Sequence, residues 1–96
     1  MSVNPAWEKF HLSILTMAQG EDSPRERVIR AMQYNLVYVN PKDIHDEVMR
    51  GDFKKIMRDI EKNGLNDYIY TLPDIEMGEL IEKVLSIYDS IARKME

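Results

Sequence analysis

The sequence contains no cysteine. Disulfides, a thiol nucleophile and every cysteine-based metal site are thereby excluded. Histidine is nearly as scarce, with His11 and His45 alone. A structural zinc wants three or four ligands at defined spacing, and this pair does not supply them. His45 stands among Asp43, Asp46 and Glu47, a cluster that reads as the acidic start of a helix, where the dipole favours negative charge. The glycines at 20, 51, 64 and 78 are scattered. No glycine-rich phosphate loop, Gly-x-Ser-x-Gly elbow or calcium-loop pattern occurs, so no cofactor or metal is expected. No apolar run approaches the ~20 residues that span a bilayer. The stretch from Met1 to Lys9 lacks a basic segment followed by an apolar one, so a signal peptide is not expected. A basic surplus is missing too: the net charge is −4 and the pI near 5.2. Proteins that neutralise phosphates usually carry the opposite balance, which argues against a nucleic-acid partner.

What remains is an ordinary globular composition, 44% hydrophobic and 31% charged. A chain of 96 residues makes one domain, 1–96, that can bury roughly 60–70% of its unfolded surface. Folding without disulfides suits a reducing compartment, and a cytoplasmic location is expected.

The last third carries the strongest pattern. Met77, Ile81, Val84, Tyr88, Ile91 and Met95 alternate in steps of four and three, which aligns them along one side of a helix. Leu80, Leu85, Ile87 and Ala92 widen the stripe beyond a coiled-coil seam. Pro73 suits a first turn, Asp74, Glu76 and Glu79 sit at the positive end of the dipole, and Arg93 and Lys94 at the negative end. Asp89–Arg93 and Glu79–Lys83 have the spacing of surface ion pairs.

Upstream, Asn4-Pro5 and Gly20 bracket a helix on Trp7, Phe10, Ile14 and Met17. Ser23-Pro24-Arg25-Glu26 is a capping box that starts a second helix on Val28, Ile29, Met32 and Leu36. Asn40-Pro41 opens a third, on Ile44, Val48, Met49, Phe53, Ile56, Met57 and Ile60, which is either continuous or broken at Gly51, and Asn63-Gly64 closes it. The spacing therefore predicts an all-α bundle of four or five helices, roughly 4–19, 23–38, 41–63 and 73–95. The core expected is Trp7, Phe10, Ile14, Ile29, Met32, Leu36, Val48, Phe53, Ile56, Ile60, Leu80, Val84, Ile87 and Ile91. The β-formers at 36–39 and 68–71 leave an α+β alternative, in which they pair as a two-stranded patch.

No catalytic constellation stands out. Ser13, Ser23, Ser86 and Ser90 have no base and orienting group at a recognisable spacing, and Ser23 is accounted for as a cap. The expectation is a non-enzymatic protein-interaction or regulatory module. It would bind an unidentified protein, or a second copy as a homodimer, through Tyr68, Tyr70, Met77, Ile81, Tyr88 and Met95. Tyrosine is common at interfaces because it offers apolar area with a polar tip. Two alternatives stay open. Lys54, Arg58 and Lys62, four apart, form a row able to track phosphates, interrupted by Asp59 and Glu61. Asp74, Glu76, Glu79 and Glu82 are the acids an inhibitor of a basic partner would use. Asp67-Tyr68-Ile69-Tyr70, ahead of Pro73, resembles the Asp-Leu-Ile-Tyr-Tyr-Pro segment of the colicin DNase immunity proteins. That likeness covers only these residues, the spacing to the proline differs, and the long helix after it departs from the pattern. It illustrates the inhibitor class and assigns no family.

Overall fold

The first three α-helices each begin where a side chain satisfies a free amide of the first turn. In the computed structural model, which describes residues 4–95, α1 (Pro5–Ala18) starts at Asn4, whose side-chain oxygen accepts from the Ala6 amide at 2.8 Å. Ser23 does the same for α2 (Pro24–Tyr34), accepting from the Glu26 amide at 3.2 Å. Asp46 caps α3 (Glu47–Asn63), accepting from the Met49 amide at 3.0 Å. Gly64, at φ 83°, turns the chain from α3 into α4 (Leu65–Thr71) without a Cβ clash. Pro73 precedes α5 (Asp74–Arg93). The fold is all-α, as the periodicity predicts, and the C-terminal amphipathic helix runs 20 residues.

Helix α1 packs on α2 and α5, α2 on α4, and α3 on α4 and α5. One core joins them. Phe10 of α1 and Phe53 of α3 meet at its centre with ring centroids 5.8 Å apart, tilted by 56°. Around them lie Met32, Leu36, Ile44, Ile69, Val84 and Ile87. Ser13, fully buried, sends its hydroxyl to the Lys9 carbonyl at 2.7 Å and lies 3.3 Å from that of Ala31. A small polar residue there lets α1 and α2 approach closely while its oxygen stays satisfied.

Four expectations are corrected. Helix two stops at Tyr34, and Leu36–Tyr38 forms a separate 3-10 turn. The third helix starts at Glu47 rather than at 41, because Asn40 and Pro41 cap only a 3-10 turn over Pro41–Asp43. Ile44 then leaves helical geometry to enter the core with no exposed surface. The Arg50 guanidinium holds that excursion by donating to the Ile44 and His45 carbonyls at 2.9 and 3.1 Å. Val48 is 70% exposed and not core, since a helix that faces Phe53, Ile56 and Ile60 inward turns Val48 outward. Finally, 68–71 is helix and 36–39 a turn, so the strand pair does not form among the described residues. The Ile69 side chain is fully buried, and the Arg25 guanidinium binds its carbonyl and the Asp74 carboxylate together. That one arginine ties the start of α2 to the end of α4 and the start of α5. Gly51 does not interrupt α3.

Candidate protein-docking face

Helices α1 and α5 run antiparallel. Asn4 and Pro5 lie beside Ile91, Lys94 and Met95 at one end, and His11 meets Tyr88 further along. The Trp7 and His11 rings stack with centroids 4.8 Å apart and planes within 10°. His11 Nδ1 lies 3.1 Å from the Tyr88 hydroxyl, and the Tyr88 ring sits 6.0 Å from both other rings. The three rings, each half-buried, form one platform bridging the two helices.

One turn on from His11 stands Leu15, and one turn back from Tyr88 stands Leu85. Antiparallel register places these two at a similar level along the helix pair. They are 40% and 43% exposed, and Leu12, on the outer margin of α1, is 51% exposed. Half-buried Ile81 continues the row along α5. Beyond it, Pro24, Met77, Gly78 and Ile81 wall an apolar concavity of about 380 Å³ whose polar edge is Ser23, Arg25 and Asp74. From Tyr88 to Gly78 the face spans roughly 15 Å at 1.5 Å per residue. Single exposed leucines are unremarkable; three of them beside half-buried Trp7, Ile81 and Tyr88 on two packed helices make a candidate interaction surface.

The residues singled out in the sequence do not all gather here. Ile81 and Tyr88 lie on this face. Met77 is 6% exposed, its side chain spent mainly on the core. Met95 is half-buried at the Asn4 end of the α1–α5 pair. Tyr68 lies elsewhere, in a cleft of about 250 Å³ between α3 and α5 that it shares with Leu72, Leu80 and the acids Asp52, Asp59, Glu76 and Glu79. Burial first, and then the negative charges of Asp59 and Glu76, raise its phenol above the ordinary tyrosine range. Two of the acids in that cleft are already neutralised, Asp52 by Lys83 at 3.1 Å and Asp59 by Lys55 at 3.3 Å. Lys83 thus crosses to α3 instead of pairing with Glu79. Tyr70 stands exposed on α4.

Lys54, Arg58 and Lys62 form an exposed row on the outer side of α3, away from the face. No group of three or more His, Asp or Glu among the described residues is arranged to hold a metal ion. None of the described helices is long and apolar enough to cross a membrane.

Trp7, His11, Leu12, Leu15 and Leu85 escaped the sequence-based site. The signal for them was present. Leu12 and Leu15 fall outside the Phe10–Met17 stripe, which makes α1 apolar around most of its circumference, and such a helix calls for cover on more than one side. Compared with known proteins, the chain matches no family model, and neither the curated proteins nor the solved structures give a significant match.

Proposed function

We propose that this chain is a small non-enzymatic interaction module that docks another polypeptide on its α1–α5 face. The observation that carries the proposal is the exposure of Leu12, Leu15 and Leu85 beside Trp7, Ile81 and Tyr88, which pack on the core yet stay half-buried. Burying it would stabilise a complex by ~25 cal/mol for each Å² of apolar surface removed from water, before the costs of association. The test is affinity capture from lysate with the wild-type chain and with Leu15→Asp/Leu85→Asp, alongside sedimentation velocity of each. A stoichiometric partner, or a self-associated form, that is lost in the folded variant is expected. A partner held equally by both would overturn the proposal.

A second reading rests on the exposed Lys54, Arg58 and Lys62 row, which no carboxylate among the described residues neutralises. It predicts salt-sensitive retention on duplex DNA that vanishes when all three become Glu. The overall charge of −4 works against it, and no retention at low salt would end it.

A further inference from the structure

We infer that the occupant of the α1–α5 face is a cationic amphipathic helix from another protein rather than a second copy of this chain; the inference rests on the docking proposal above. Three observations carry it. The first is shape. The face lies along two antiparallel helices over roughly 15 Å, which matches two to three turns of a helix presenting apolar residues at i, i+3 or i+4, and i+7. The second is the concavity of about 380 Å³ at its Pro24–Gly78 end, which offers a terminal anchor side chain an apolar seat.

The third is the charge along the margins. On α1, Glu8 lies one turn before Leu12. On α5, Glu82 and Asp89 flank Leu85 on its outer side, one turn in each direction, and all three acids are exposed. Glu8 and Glu82 meet no cation among the described residues. The cations nearby are few. Arg93 is paired with Asp89 at 2.9 Å, Arg25 is held by Asp74 and the Ile69 carbonyl, and Lys9 lies on the far flank of α1. The same margins disfavour a second copy. A second copy brings the same face with the same two glutamates, and its nearby Arg93 is already held by Asp89, so it offers Glu8 and Glu82 no free counter-charge among the described residues. Lysines and arginines bordering an apolar stripe meet these carboxylates with opposite charge and add steering to the encounter.

The experiment uses two synthetic 16-residue helices, identical in a leucine stripe at i, i+3, i+4 and i+7. One carries Lys at the flanking positions, the other Glu. Trp7 is the sole tryptophan of the chain and stands on the face, so its fluorescence reads binding directly. The Lys peptide is expected to bind at least about tenfold tighter than the Glu peptide, a difference of ~1.4 kcal/mol. The advantage should shrink as salt shortens the screening length. Glu8→Lys/Glu82→Lys should abolish the preference while leaving helicity and thermal melting unchanged. Equal binding of the two peptides, lost in Leu15→Asp, would overturn the cationic assignment and leave the docking face standing. Dimerisation of the wild type that Leu15→Asp abolishes would overturn it in favour of a second copy. No peptide binding and no self-association, in a chain whose Leu15→Asp form behaves identically, would overturn both proposals.

Discussion

Helices α3 and α5 are both long and amphipathic, yet they finish their outer sides differently. On α3, past the exposed Val48 of its first turn, the buried Phe53, Ile56 and Ile60 give way to Lys54, Arg58 and Lys62, so the rest of the helix is closed off by solvated charge. On α5 the buried Met77, Leu80, Val84, Ile87 and Ile91 are followed by Ile81, Tyr88 and Leu85 before the acids begin. The apolar arc of α5 therefore outruns what the monomer covers, and α1 extends it with Trp7, Leu15 and Leu12. A helix whose polar arc begins at the edge of the core has no further surface to bury; one whose apolar arc continues past it has room for a partner.

The comparison breaks most sharply if the two kinds of apolar residue respond alike to mutation. Phe53→Ala should cost about 3–5 kcal/mol, because it empties the centre of the core and removes the contact with Phe10. Leu85→Asp should cost under about 1 kcal/mol in the same denaturant titration, since its site is open to water. Equal losses would place the seam inside the core and end the comparison.

The next effects are smaller. Ser23→Ala should lower stability by ~1 kcal/mol, through loss of the hydroxyl that accepts from the Glu26 amide. Gly51→Ala should raise it by about 0.5–1 kcal/mol, because a Cβ there meets nothing within 4 Å and the helical backbone is already compatible. That gain corresponds to a few degrees in Tm, about 4–8 °C per kcal/mol for a domain near this size. Gly78→Ala on α5 is equally unobstructed in the free chain. It sharpens the comparison, since Gly78 walls the concavity of the face. Stability should rise for both variants, whereas binding of the Lys peptide should fall only for Gly78→Ala.

The smallest effects are those of pH. The Met49 amide, then the Val48 amide and the charges of Lys94 and Arg50, hold the Asp46 carboxyl below the usual range against an opposing effect of burial. Its folded pKa is depressed, so its stabilisation is complete above the unfolded value of ~3.9 and is lost as pH falls through the folded one. Asp46→Asn keeps a capping oxygen and should flatten that acid limb of the stability profile. Tyr68 has the opposite sign. Its phenol is raised, so its contribution is present below the ordinary ~10 and is lost as pH rises through the folded value. Tyr68→Phe should remove that alkaline limb, read by denaturation at stepped pH.

Much of this molecule was legible in residue order. Asn4, Ser23, Gly20 and Gly64 act as caps or helix ends where local chemistry says they should. The 3.6-residue rhythm located every α-helix but α4, and the Asp89–Arg93 pair that spacing suggests forms on the last turns of α5. Where local signals failed, a long-range contact had overridden them. Ile44 abandons its helical spacing because the core takes its side chain and Arg50 takes its carbonyl. Tyr68–Thr71, rich in β-formers, is helical because Ile69 is drawn into the core while Arg25, 44 residues upstream, binds the Ile69 carbonyl.

The sequence by itself determined the all-α class, the helix caps and the existence of more apolar residues than one core can use. Those are properties of neighbours within a few positions, where propensity, capping and periodicity act. Only the tertiary structure decided which apolar residues were left over. Met77 went inward, Val48 outward, and Leu15 and Leu85 stayed exposed one turn from the ring platform of Trp7, His11 and Tyr88. Membership of a face depends on how two distant helices set their register against each other, and that register follows from packing the whole core rather than from any single stretch of chain.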